Sequence, residues 1–129
     1  MSVIEVRLTA TILANGSTIT KRRGWPCGGG ILRRAVFDVP ELAANELMEV
    51  ALVDDLALEQ FSQASLEGNA VTTIDDLAVP LAATTLARTS ENVAPGPGLN
   101  LVLTNRDGDG VARASSVALA VTARFFVEV

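Results

Sequence analysis

From Val117 to Val129 the chain alternates without a break. Val117, Leu119, Val121, Ala123, Phe125, Val127 and Val129 fall on one side, and Ala118, Ala120, Thr122, Arg124, Phe126 and Glu128 fall on the other. Successive side chains of an extended strand point to opposite faces, so this stretch predicts a strand with one buried face. A slip of one residue would turn the whole apolar set outward, which fixes the register. The beginning repeats the pattern from Val3 to Ala14, with Ile4, Val6, Leu8, Ala10 and Ile12 set against Glu5, Arg7, Thr9 and Thr11. A chain that opens and closes this way has to find sheet partners for both ends.

The stretch between them also reads as strands separated by turns. Asn15-Gly16 is the strongest two-residue hairpin signal, so the expected partner of the first strand is Ser17 to Arg22. Gly24 to Gly30 is a loop, and Ile31 to Val39 is a strand that stops at Pro40. Pro40-Glu41 after Asp38 carries the signs of a helix start, which predicts a short helical turn near 40–46 followed by a strand at 47–53. Further strands are expected near 56–62, 70–74 and 77–87, with a turn at Glu67 to Asn69. Pro80 points to an edge strand or a bulge. Val53 to Leu58 and Ile74 to Val79 share the pattern apolar-Asp-Asp-Leu-Ala-apolar, which marks two similar entries from turn to strand. Glu91 to Gly98 is a loop, Leu99 to Thr104 a strand and Asn105 to Gly110 a turn. The fold class that follows is all-β: a jelly roll or β-sandwich of about eight antiparallel strands, with at most one short helix near 40–46. At 129 residues, 49% of them hydrophobic and 19% charged, the chain is expected to form a single β domain over 1–129.

Composition narrows the chemistry. The chain has no His, no Tyr and one cysteine, Cys27. Without His there is no Ser/His or Cys/His nucleophile pair and no His-bearing metal site. One Cys forms no intrachain disulfide and no CxxC pair. The opening MSVIEVRL brings in charge before any apolar run and does not read as a signal peptide. No uncharged stretch suits a membrane span, so a soluble protein is expected, made in a reducing compartment or indifferent to redox. Neither a cofactor nor enzymatic activity is expected.

Each remaining chemical motif has a plainer explanation. Asn105-x-Asp107-x-Asp109-Gly110 matches the first half of a calcium loop, but Ser116 stands where a bidentate Glu is needed. A turn explains it better, and no metal is expected. Gly28-Gly29-Gly30 lacks the Lys-Ser/Thr of a phosphate-binding loop. Asp54-Asp55 and Asp75-Asp76 resemble catalytic carboxylate pairs, but neighbours on a strand diverge, so turn or rim positions are expected. Glu59 has nothing beside it to make it a catalytic acid.

Charge is uneven along the chain. Residues 1–40 carry six basic and two acidic groups, residues 41–92 carry ten acidic and one basic, and the remainder carries three of each. This suits docking between copies or onto a charged neighbour; two solvated faces that balance within one monomer would give the same numbers. If strands 17–22 and 31–39 pair, Lys21, Arg22, Arg23, Arg33 and Arg34 form one basic patch beside Trp25. The net charge of −5 and the scarcity of aromatic residues argue against nucleic acid. Arg and Trp are common in protein interfaces, so these six residues are the candidate partner-binding set. Reversing Arg22 and Arg23 to Glu is expected to weaken partner binding and leave folding intact.

In its short all-β pattern, its Ala, Val, Thr and Gly bias, its strand from Val3 and its final strand to Val129, the whole chain resembles the small jelly-roll cement or decoration proteins of tailed bacteriophage capsids. The Gly24–Gly30 and Glu91–Gly98 loops look like the long connections such proteins use to grip neighbours. The resemblance implies a structural virion protein, made in the host cytoplasm and placed on the capsid surface. It also implies a dimer or trimer that binds the major capsid protein or another protein lattice, with no nucleic acid or membrane partner. No diagnostic motif matches, so no family site residues carry over. Single-stranded RNA phage coat proteins have a similar length but finish in helices. A carbohydrate-binding β-sandwich is the alternative, with Trp25 as its stacking ring.

Overall fold

A computed structural model describes residues 2–85 and 96–129. Its strands are β1 (Val3–Ile12), β2 (Thr18–Gly24), β3 (Gly29–Val39), β4 (Glu46–Val53), β5 (Glu59–Leu66), β6 (Ala70–Ile74), β7 (Val79–Ala82), β8 (Thr84–Thr85), β9 (Pro97–Asp107) and β10 (Leu119–Glu128). They form two antiparallel sheets. The first runs β1-β10-β3-β6 with β7 also on β3; the second runs β2-β9-β4-β5 with β8 also on β9. Consecutive strands repeatedly change sheet, and the first and last strands are neighbours. This is the jelly-roll arrangement expected from the sequence.

The terminal alternation explains the first sheet. β1 and β10 pair over their full length, from Val3 beside Glu128 to Ile12 beside Leu119. Leu119, Val121, Ala123, Phe125 and Val127 of β10 are buried, as are Val6, Leu8, Ala10 and Ile12 of β1. Leu99, Leu101 and Leu103 of β9 meet them from the second sheet, with Met48, Val50 and Leu52 of β4. Phe37, Phe125 and Trp25 fill the centre; the Phe37 and Phe125 rings meet edge to face with centroids 5.9 Å apart.

Several expectations need correction. Asn15-Gly16 does not close a hairpin, because β1 and β2 lie in different sheets. The Gly16 N–H donates to Leu13 O (2.9 Å) and Asn15 takes φ +70, so the turn is real. It carries the chain across the sandwich instead of back along it. Strands 17–22 and 31–39 also fail to pair, since β2 lies on β9 and β3 lies on β10. No helix forms at 40–46. Leu42 packs against the core, the Asn69 N–H donates to Pro40 O (2.9 Å), and Asn45 turns at φ +63 into β4. The alternation of β4 and the burial of Leu42 outweigh the helix-start signal. The one short helix is a 3-10 turn at Pro26–Gly28.

Other boundaries move by a few residues. The strand expected at 56–62 is β5, 59–66, and the one expected at 77–87 divides into β7 and β8, with 86 and 87 outside the described residues. Pro80 sits on β7 opposite Ile31, a strand with β3 as its neighbour, as an edge proline should. Pro97 and Gly98, expected in a loop, already belong to β9, while 91–95 of that loop lie outside the described residues.

Replacing Phe125 with Ala is expected to lower unfolding stability by about 3–5 kcal/mol, because a fully buried ring leaves a cavity. Urea unfolding measures this as a lower midpoint with unchanged slope; an unchanged midpoint would contradict the assigned core.

Candidate functional site

The six candidate residues do not form one patch. β2 alternates, so Ile19, Lys21 and Arg23 point toward the open side of the sandwich while Thr20 and Arg22 point outward. Lys21 Nζ donates to Thr9 O (2.7 Å) and Arg23 Nε donates to Arg7 O (3.4 Å). Both therefore cover backbone carbonyls of β1, the edge of the first sheet. Charged residues turned inward at an edge discourage pairing with another chain.

Arg22 is a clamp. Its Nε and Nη2 donate to the two Asp55 oxygens at 3.0 and 3.1 Å, and Nη2 also reaches Gly96 O (3.0 Å). Asn100 donates to the same carboxylate (3.0 Å), whose side chain is only 5% exposed. Gly98 lies directly beneath the guanidinium, where a Cβ would fall 2.5 Å from Cζ. Arg33 pairs with Glu128 (2.6 Å) and Arg34 with Asp75 (3.1 Å) on the outer face of the first sheet.

Trp25 is buried. Its indole N–H donates to Gly29 O (3.0 Å) and its ring lies against Phe125 with centroids 6.0 Å apart. The ring closes one end of the core and offers no surface on which a sugar could stack. Gly29 and Gly30 belong to β3, paired with Ala82 and Leu81, and do not form an anion cradle. A Cβ on Gly29 would lie 2.0 Å from Leu81 O, which explains why glycine stands there.

The carboxylates serve the turns. Asp54 Oδ1 accepts the N–H groups of Leu56 and Leu58, each at 2.8 Å, and Ala57 takes φ +63. Asp76 likewise takes φ +58 in the turn before β7, so the two similar motifs are similar turns. Neither pair converges. In the calcium-like stretch, Asp107 Oδ1 accepts the Val111 and Asp109 N–H groups, both at 2.9 Å, and Oδ2 accepts Arg113 Nε (2.8 Å). The Val111 N–H holds the Asp107 carboxyl below its ordinary range, opposed by desolvation and helped by Arg113 and the Asp109 N–H.

Asn105 is completely buried and donates its amide to Glu46 (3.0 Å) and Arg113 O (3.2 Å), so it links β9 to β4 and to the connection before β10. Its Oδ1 has no partner among the described residues. Turning the amide over would set that oxygen against the Glu46 carboxylate, so this orientation is the less costly one.

Two features escaped the sequence reading. Phe126 lies on the outer face of the first sheet, with the guanidinium carbons of Arg34 and Arg124 at 5.5 and 5.3 Å from its ring centre. Arg124 also pairs with Glu5 across β10 and β1. The second is the set of exposed apolar side chains at the loops. Leu13, Val111 and Val117 are exposed at the end holding the β1–β2 and β9–β10 connections; Leu56 (76%) and Leu58 (61%) are exposed at the other. Alternation marks the Phe126 side as outward, but only the register shows which arginines flank the ring.

Neither the family models nor the curated protein sequences contain a match to this chain. Among solved structures, the chain is similar to one titled "Structure of infectious bursal disease virus Gx strain". The match covers 98% of this chain and 32% of that chain, with 15% identity and a TM-score of 0.39. This chain thus spans about a third of the length of the viral one. The likeness establishes no kinship, and the jelly-roll class rests on the strand order itself.

Because Asp55 is nearly buried, Arg22→Glu is expected to cost about 3 kcal/mol of stability, as breaking a buried pair generally does. This revises the expectation that Arg22 can be reversed with folding intact. A denaturant midpoint equal to that of the original chain would refute the clamp. The Asp107 shift gives a second expectation. Its folded value lies below the unfolded one, so its stabilisation is present above the unfolded value and is lost as pH falls through the folded one. An NMR titration of the native protein should place the Asp107 midpoint below the ~3.9 of an unstructured peptide. A midpoint at or above that value would mean that the turn is not held this way.

Proposed function

We propose that this chain is a structural virion protein that attaches to a protein lattice as an oligomer and acts by contact, without turnover. The observation that carries this reading is the display of large apolar side chains on loops that are already tied down. A single exposed leucine is ordinary. Leu56 and Leu58 differ because Asp54 fixes both of their N–H groups, and the Asp54 N–H donates to Leu58 O (2.9 Å). The adjoining Asp55 is locked by Arg22. Ordering this loop on a partner therefore costs little entropy, which is the condition for an efficient contact. Jelly rolls also serve as lectin and cupin domains, so the fold alone does not choose among these roles. Burial of Trp25 counts against the carbohydrate reading. The phage affiliation and the capsid-surface location belong to this same proposal.

The test is co-sedimentation of the full chain with capsids of the virus that encodes it. Saturable, stoichiometric binding is expected. Leu56→Asp with Leu58→Asp should weaken it at least about tenfold, equivalent to ~1.4 kcal/mol, while the melting temperature stays within a degree or two. A chain that stays in the supernatant at saturating concentration would overturn the lattice reading.

A further inference from the structure

The outer face of the second sheet differs from that of the first. The first carries Glu5, Arg7, Arg34, Asp38, Asp75, Arg124 and Glu128 around Phe126. The second has an uncharged centre. Across its middle run Thr20, Val102, Ala51 and Ser62, one from each strand, in register. Thr18, Thr104, Asn100 and Val53 extend this neutral area along the strands. Charge sits at two places on its border. Arg106 pairs with Glu49 (3.0 Å) near one end, and Arg22 and Glu59 stand on opposite edges near the other, both in the row of Val53 and Asn100.

We infer that this face is where two copies of the chain meet, stacked about a two-fold axis parallel to the strands. The inference deepens the oligomeric part of the reading above and rests on it. The charge pattern selects the axis. Rotation about it lays β9 over the partner's β4 and β2 over the partner's β5. Val102 then covers Ala51 of the second copy and Thr20 covers Ser62, large against small. Arg22 faces Glu59 of the second copy, and Arg106 comes beside a second Glu49. Every charged contact at the border is between opposite signs and occurs twice, as an isologous interface requires. Glu59 is exposed and makes no ion pair among the described residues, so it has charge to offer. Arg22 keeps Asp55 and gains a further carboxylate at its rim. A face of four strands about seven residues long measures roughly 19 by 23 Å. Two such faces bury on the order of 1,000 Å², the lower limit for a specific interface, so the dimer is weak, with a dissociation constant in the ~micromolar range.

The test is sedimentation equilibrium of the full chain, alone, up to about 1 mM. A monomer–dimer equilibrium is expected. Thr20→Arg should weaken it at least about tenfold, because a long charged side chain then meets the partner's Ser62. Thr20→Arg combined with Ser62→Asp should restore association to within about threefold, since the two new charges attract across the interface. Within one chain these positions lie three strands apart, roughly 14 Å, so the restoration can come only from the second copy. Circular dichroism melting confirms that each variant is folded. A strict monomer throughout the range overturns the inference, as does a dimer indifferent to Thr20→Arg or one not restored by the double change. Co-sedimentation with capsids separates the two readings. A monomer that still binds capsids removes this interface alone, and a dimer that ignores them removes the lattice reading alone.

Discussion

The pairing of β1 with β10 is the constraint on which everything else depends. It joins the two ends of the chain over their whole length, so every other strand has to be placed between them. β10 then has β3 on its other side, and the first sheet is complete once β6 and β7 lie along β3. The remaining strands bury their leucines by forming a second sheet over the first. The close is tight: the Val129 N–H donates to Ser2 O (2.9 Å), and a Cβ on Gly30 would come within 2.7 Å of Glu128 O. Almost all of this is long-range contact, of the kind that makes jelly rolls slow to fold relative to helical proteins.

Alternation made the strands legible, and it did so because one face of each is buried. The terminal strands, β4 and β9 all follow it. What alternation does not contain is the identity of a strand's neighbour. Asn15-Gly16 specifies a reversal of direction but not the sheet in which the chain continues, and here the chain crosses to the other one. The turn is held from outside, since the Asn15 N–H donates to Ser115 O (2.6 Å), a residue far away in sequence. The charged residues fail for the same reason. Sequence shows Arg33 and Arg34 side by side, but their partners Glu128 and Asp75 become visible only when the register is known. Trp25 illustrates a different limit. A glycine-rich segment is correctly a loop, but loop residues can still turn a ring into the core when the indole N–H finds a nearby carbonyl.

The cluster Lys21-Arg22-Arg23 shows how one short run can carry three tasks. Its first and third members face the open side of the sandwich and cover carbonyls of β1. Its second faces out and fastens the β4–β5 loop. Read by composition alone, the run is a basic patch. Read by period two, it divides into an edge guard and a clamp.

That division determines where the molecule can touch others. Exposed strand edges are the usual route by which β proteins associate. On one side of the sandwich Lys21 and Arg23 occupy the carbonyls of β1. On the other, Gln60 of β5 accepts the Ala82 N–H of β7 (3.1 Å), so a side chain bridges the two sheets where their edges approach. With side chains set across both openings, further contact falls to the faces and the loop ends. The first sheet's face is crossed by internal ion pairs around Phe126, and a partner there would have to displace or extend them at a desolvation cost. The neutral centre of the second sheet and the leucines on the fixed β4–β5 loop carry no such cost. The arrangement that keeps the edges from pairing therefore leaves one face and the loop ends as the surfaces on which an assembly of these chains could be built.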